Sequence, residues 1–375
     1  MYKTIEIYNF RGFQSFKLEN IGRLNLLVGV NNSGKTSILE AIQLLSSKSD
    51  LKPILEILER RGEYLVSEDF SANPHLEIEF DICHFFHTHK LEGGSKFLIS
   101  GLKQEIQEKF EALIDFSAMT IESIYFNQDI KNEDSKLDKV PKFINKWTVD
   151  DEIVNLLHLP LSPNNGISEQ YRRISRRDVK EKNSSVRFIT SSSLDTKLTV
   201  DLFDRIVLTE NETLIYEALQ TIEPKLERIA SVALNQYGYR EPSRGGFVVR
   251  LSDSDRRVPI GSLGDGIWRM LGLALAIANV KNGILLVDEI DTGLHFTVMA
   301  DMWKLIWETA KRLNVQVFAT THNSDCWTSL ASIASREDVS EDGITIHRIE
   351  RDKNTSIVFS EREIAIAAER GIEVR

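Results

Sequence analysis

The stretch Leu26-Leu27-Val28-Gly29-Val30-Asn31-Asn32-Ser33-Gly34-Lys35-Thr36-Ser37 decides the fold, because an apolar strand runs straight into a glycine-bracketed loop carrying Lys and Thr. Gly29 lets the chain turn sharply, Gly34 lets backbone N–H groups crowd a phosphate, and Lys35 brings a point charge to the β and γ phosphates. Thr36 offers a hydroxyl to Mg²⁺, and Asn31, Asn32, Ser33 and Ser37 complete the predicted phosphate-binding set. A helix beginning near Lys35 aims its positive end at the same phosphates, with Ile38, Leu39, Ile42 and Leu45 recurring on one face.

The carboxyl-terminal half supplies a second set of polar groups. Gly283-Ile284-Leu285-Leu286-Val287 is an apolar run ending in Asp288-Glu289, as expected of a parallel strand buried on both faces that delivers two carboxylates to the sheet's carboxyl edge. Asp288 is placed to hold Mg²⁺ opposite Thr36, and Glu289 to accept a proton from the water that attacks the γ phosphate. A third apolar strand, Val315 to Thr321, ends in His322, which is predicted to contact the γ phosphate; Phe296 to Leu313 reads as the crossover helix before it. Between residues 261 and 270 a glycine-rich turn containing Ser262, Gly264 and Gly266 opens an apolar helix, the pattern of a second anion site. Two phosphate sites on one chain suggest that two copies share each ATP.

With 375 residues, 42% apolar and 27% charged, the chain has the composition of an ordinary soluble protein with ample length for a large core. No apolar run is long enough to cross a bilayer and the amino terminus does not read as a signal peptide, so a cytoplasmic protein without a membrane partner is expected. The two cysteines, Cys83 and Cys326, make no disulfide framework. A formal charge of -10 argues against coating nucleic acid with the whole surface, while leaving a local basic groove open. The run Arg172, Arg173, Arg176, Arg177, Lys180 and Lys182 reads first as a solvated face and second as a contact for nucleic acid or an acidic partner.

Elsewhere the reading is coarser. An amino-terminal hairpin is expected over residues 2–18, and strands over 76–82, 97–100, 119–126 and 143–149, with a helix over Leu102 to Leu113. Thr209 to Glu212 resembles a capping box opening a helix, and Pro224 is expected to start another, with Leu226, Ile229, Ala230, Ala233 and Leu234 inward. Asp253 and Asp255 in a hairpin turn could suggest a metal doublet, but turns are rich in Asp for their own reasons. Cys83, His84, His87 and His89 could suggest zinc, although their spacing fits no strong ligand pattern.

Taken in order, Gly29 to Thr36, Ser262 to Ile267, Leu285 to Glu289, Asp291 and His322 resemble the head of an ABC-type ATPase, and the long gap between loop and acid strand is similar to the RecF and SMC branch. More narrowly, Asn9-Phe10-Arg11-Gly12-Phe13, residues 287–295, Thr320-Thr321-His322-Asn323-Ser324 and residues 368–375 resemble the ATPase module of the overcoming-lysogenisation-defect (OLD) family. The resemblance implies ATP sandwiched between the loop face of one protomer and the signature turn of another, Asp291 carrying signals across that dimer, and Arg11 approaching the nucleotide. The family signature usually has Ser where this chain has Gly264, so the resemblance implies that Ser262 or backbone N–H groups make the γ-phosphate contact, or that the contact in trans is weaker. The roughly fifty residues after His322 are too few for the nuclease domain that such proteins add.

The expected fold is therefore α/β: an ABC ATPase head with a mixed parallel sheet core, an antiparallel β subdomain and a small helical lobe. Residues 1–190 are expected to form the first part of the head, 191–242 the lobe and 243–375 the second part. The expected function is a Mg²⁺-dependent ATPase that forms a homodimer on ATP and regulates a separate effector, a toxin or a nuclease, in antiphage defence. The alternative is a RecF-like DNA-binding clamp in repair.

Overall fold

The computed structural model describes residues 1–65, 78–116, 141–172, 185–192, 194–232, 246–334 and 343–374. The chain divides into two compact units, one built from residues 19–39 and 183–375 with Met1, the other from 2–18 and 40–182.

The first unit is organised by a six-stranded sheet in the order Val186–Ile189, Ile284–Val287, Gln316–Thr320, Leu24–Val28, Ile344–Arg348, Ile357–Phe359. All pairings are parallel except the last, which is antiparallel, so the sheet is mixed. Leu24–Val28 is buried at every position, as a central parallel strand covered on both faces must be. Parallel register brings the ends of Leu24–Val28, Ile284–Val287 and Gln316–Thr320 to one edge, which is where the phosphate loop, the two acids and His322 begin. The 18-residue helix Phe296–Leu313 links the second and third of these strands as the crossover the sequence predicts. Helix Asp265–Ala278 buries twelve of its residues, which explains why its sequence, Arg269 apart, is apolar all round from Ile267 onward rather than on one stripe.

Two helices, Thr196–Asp204 and Glu212–Ile222, stand where a helical lobe is expected. The capping box does not form. Asn211 is the N-cap, without a side-chain bond, and Glu212 reaches back to the amide of Leu208 at 2.7 Å. The helix expected after Pro224 is instead the strand Leu226–Ser231, paired antiparallel with Phe247–Leu251. A register shift between Leu226 and Arg228 puts Leu226 and Ile229 on the same buried side, and a bulge of this kind imitates the three-residue spacing of a helix. Ala233 and Leu234 lie outside the described residues. Phe247–Leu251 and Val258–Pro259 form the expected hairpin.

The second unit carries a six-stranded antiparallel sheet ordered Phe13–Leu18, Tyr2–Phe10, Lys96–Lys103, Ile106–Asp115, Lys142–Val149, Glu152–Pro160. The amino-terminal hairpin is as read from the sequence. The expected helix over Leu102 to Leu113 is a correction: these residues are two strands joined through Gln104, whose φ of 60° makes the tight turn. Phe110, Ala112 and Ile114 alternate into the core with period two. Of the strand expected at 76–82, Glu79–Asp81 is present and 76–77 lie outside the described residues, as do 119–126.

Candidate nucleotide site

Strand Leu24–Val28 gives way to helix Lys35–Ser46 through a loop with three left-handed positions, Gly29 at φ 139°, Asn32 at 58° and Gly34 at 97°. At Gly29 the glycine is obligatory on two counts. Its φ is outside the range of L side chains, and an added Cβ would stand 2.4 Å from the carbonyl oxygen of Ile349. The helix then takes over with the Ile38 amide on the Gly34 carbonyl at 3.0 Å, and Ile38, Leu39, Ile42 and Leu45 are fully buried.

Lys35 curls into this loop. Its Nζ donates to the carbonyls of Gly29 and Val30, each at 2.8 Å, and lies 3.4 Å from Ser33 Oγ. Burial pulls its pKa down to about 8, against the opposing pull of Asp288 and Glu289. A buried ammonium pointed at carbonyls is a cation poised for stronger anionic ligands.

The hydroxyl of Thr36 donates to the Asp288 carboxylate, at 3.2 and 3.1 Å from its two oxygens. The two residues that the sequence assigned to one metal therefore meet, although 252 positions apart. A hydroxyl and a carboxylate are hard oxygen donors, the set that suits Mg²⁺ beside phosphate.

Behind Asp288, Thr320 ties the acids together: its hydroxyl donates to Asp288 Oδ1 at 2.7 Å and accepts the amide of Glu289 at 2.8 Å. Thr321 does likewise for Asp291, donating to its Oδ1 at 2.7 Å. Glu289 itself has φ 46°, a left-handed conformation that few non-glycine residues adopt. Under the turn lies Arg269, 2% exposed, whose guanidinium donates to the carbonyls of Thr190, Asp288 and Glu289 at 2.6, 3.0 and 2.7 Å. Burial lowers its pKa to about 10, and nearby Asp291 and Asp288 hold it up. It remains charged at neutral pH. His322 follows Thr321 on the same edge and is half-buried.

The signature turn is a short 3-10 helix, Ile260–Leu263, followed by Gly264 at φ 90° and ψ 176°, a conformation restricted to glycine, and then helix Asp265–Ala278. Backbone geometry thus accounts for glycine where the resemblance expects serine. Ser262 and Gly264 are exposed, no side chain caps the helix, and nothing lies within 4 Å of where a Gly264 Cβ would be. Gly266 packs against the acid turn, its hypothetical Cβ 3.2 Å from the Gly293 carbonyl.

Within the second unit, Arg11 is 7% exposed and its charge is met by two carboxylates. Its Nε stands 2.7 Å from Glu40, and its terminal nitrogens donate to Glu63 at 2.6 and 3.1 Å. The ring of Phe85 lies under the guanidinium, 5.1 Å away.

The remaining candidates separate. Asp81, Cys83 and His84 offer donor atoms within 4.8 Å of one another, whereas His87 turns to the Arg11 carbonyl at 2.9 Å. Burial and Asp81 push the Cys83 thiol up to about 12, so it keeps its proton. Asp253 is paired with Lys225 at 2.5 Å on the surface. Arg172 binds Glu59 at 2.8 Å; Arg173, Arg176, Arg177, Lys180 and Lys182 lie outside the described residues.

Arg269, Thr320 and Thr321 were not assigned roles from the sequence. The available hints were their places, one in the signature helix and two at a strand end whose Thr320 to Ser324 stretch carries the family resemblance.

A family model described as an AAA ATPase domain matches residues 1–326. Among curated proteins, an ATP/GTP phosphatase of Helicobacter pylori is 23% identical over 353 residues, covering 87% of this chain and 86% of its own. The DNA replication and repair protein RecF of Clostridioides difficile is 48% identical over 44 residues, 12% of each chain. Among solved structures, the SMC head domain of Thermotoga maritima aligns over 96% of this chain and 98% of its own, at 14% identity and a TM-score of 0.44. No helix among the described residues is long and apolar enough to cross a membrane.

Proposed function

This chain belongs to the AAA ATPase domain family and is an ATPase, and from that premise we propose that it binds ATP with Mg²⁺ at the Gly29–Thr36 loop and works as a nucleotide-gated homodimer regulating a separate effector. The observation that carries the reading is the meeting of Thr36 and Asp288, with Glu289 as the next residue.

In this proposal Lys35 and the loop amides of Asn31, Asn32, Ser33, Gly34 and Ser37 bind the phosphates, and Thr36 and Asp288 hold the metal. The metal supplies charge neutralisation for the phosphoryl group. Glu289 takes the proton of the attacking water. Thr320 and Arg269 fix the backbone on which both acids sit, so the carboxylates are aimed before substrate arrives. His322 follows the neighbouring strand Gln316–Thr320 on the same edge and is proposed to contact the γ phosphate.

The uncapped, exposed turn at Ser262, Gly264 and Gly266 supports a site completed by a second copy, since orphan N–H groups at a helix start attract phosphate. Asp291, bound to Thr321, follows the two acids by two residues and is proposed to report nucleotide state to the partner. For Arg11 to approach the nucleotide as the resemblance implies, its guanidinium must exchange Glu40 or Glu63 for a phosphate. Kinship with the OLD family, and with it a cytoplasmic role in antiphage defence through a toxin or nuclease, rests on the motifs quoted above.

Glu289→Gln tests the reading. Turnover should fall by about a hundredfold or more, as for loss of a general base, and ATP-bound dimers should accumulate on size-exclusion chromatography with light scattering. Equal turnover in variant and parent would remove Glu289 from its role. The short match to RecF favours a second reading, a DNA-binding clamp; duplex affinity that falls steeply with salt supports it, and no binding at low salt rejects it.

A further inference from the structure

We propose that Arg351 is a positioning residue for the phosphate loop, holding the Asn31–Asn32 and Asn32–Ser33 peptides so that the N–H groups of Asn32 and Ser33 lie on the side of the bound anion. The inference rests on the nucleotide reading above and adds a residue that neither the motifs nor the family match single out.

Arg351 lies in the turn between strands Ile344–Arg348 and Ile357–Phe359. Its guanidinium spans the outside of the loop, Nε donating to the Asn32 carbonyl and a terminal nitrogen to the Asn31 carbonyl, each at 3.0 Å. In a trans peptide the C=O and the following N–H point in opposite directions. Fixing the carbonyls of Asn31 and Asn32 on one side therefore fixes the amides of Asn32 and Ser33 on the other. The Ser33 amide indeed points at the Val30 carbonyl, 3.3 Å away, and that same carbonyl accepts Lys35 Nζ. The Ser33 N–H and the Lys35 ammonium therefore share one acceptor on the same side of the loop, and an anion arriving beside the lysine would take over this amide from the Val30 carbonyl.

The platform under Arg351 is firm. Glu350 binds Arg348 at 2.8 Å and Lys353 at 2.9 Å, so the turn is braced on both sides. The Ile349 amide donates to Val28 at 2.8 Å, and the Ile349 carbonyl is the atom against which Gly29 packs. Strand, loop and turn are thus registered to one another at Val28, Gly29, Asn31 and Asn32. A guanidinium suits this task because its planar fork reaches two acceptors at once, and its charge offsets the two carbonyl dipoles that face away from the anion.

The test measures binding and loop order separately. In Arg351→Ala, the Kd for a fluorescent ADP analogue should rise about tenfold and KM for ATP with it, while kcat changes less than about threefold. Arg351→Lys, which reaches one carbonyl, should recover part of the loss. In the nucleotide-free protein, residue-resolved hydrogen exchange should show the Asn32 and Ser33 amides exchanging several-fold faster in the Ala variant, with amides of strand Gln316–Thr320 unchanged. Parent-like Kd and parent-like exchange would overturn the role, as would a Lys variant no better than Ala. If the parent itself fails to bind the analogue, the nucleotide reading falls, and the exchange measurement still decides whether Arg351 orders the loop.

Discussion

Two guanidinium groups hold backbone carbonyls on the first unit's active edge, and they do so in opposite surroundings. Arg269 is sunk beneath the acid turn and satisfies the carbonyls of Thr190, Asp288 and Glu289 from inside the core. Arg351 reaches the carbonyls of Asn31 and Asn32 from the solvent side. The same chemistry therefore has different consequences. A buried donor that is removed leaves polar groups without water to replace it, whereas an exposed donor is largely replaced by water. The acid turn is held by a stability-determining contact, and the phosphate loop by one that governs ligand affinity.

That contrast can be broken most directly at its buried end. Arg269→Ala should cost at least about 3 kcal/mol of stability, because a buried charge network loses its centre, and urea unfolding would read it; a loss comparable to that in Arg351→Ala would remove the distinction. Next in size, Gly29→Ala should cost about 1–3 kcal/mol through its backbone conformation alone, with a further penalty from the 2.4 Å approach to Ile349. Its KM for ATP should rise as well, since the strain falls on the loop itself, and a parent-like KM would separate loop order from affinity.

A smaller effect lies in pH. The Lys35 pKa is lowered to about 8 in the folded chain from an ordinary 10.5. Below about 8 the lysine is charged in both folded and unfolded states and its burial cost is present. Between about 8 and 10.5 the folded state sheds the proton first, so stability rises with pH relative to Lys35→Met. Phosphate favours the ammonium, so ATP affinity should weaken above about pH 8, with proton uptake on binding. Titration calorimetry in buffers of different ionisation enthalpy would show that uptake, and buffer-independent heats at pH 9 would contradict it. Smallest of all, Arg351→Ala should change unfolding stability by under about 1 kcal/mol, the scale of exposed polar contacts.

The nucleotide motifs were legible because each is local: Gly29 to Thr36 and Leu285 to Glu289 carry their chemistry within a strand and the turn after it. Contacts made to backbone were not legible. Arg269, Thr320 and Arg351 act on carbonyls and amides distant in sequence, and nothing in the letters distinguishes such an arginine from a solvated one. Two misreadings have a shared cause. Leu102 and Ile106 fall at a helical interval only because a hairpin turn through Gln104 lies between them, and Leu226 and Ile229 do so only because of a bulge. In both places a break in a strand imitated the period of a helix.

The left-handed backbone at Glu289 has an evolutionary consequence. Glycine or asparagine would occupy φ 46° with less strain, by about 1 kcal/mol for this conformation, so the substitution that abolishes the proposed base also relaxes the fold. A higher melting temperature for Glu289→Gly than for Glu289→Gln would demonstrate the gradient. A lineage released from selection for turnover would then drift downhill, towards a chain that grips its nucleotide as a permanent clasp.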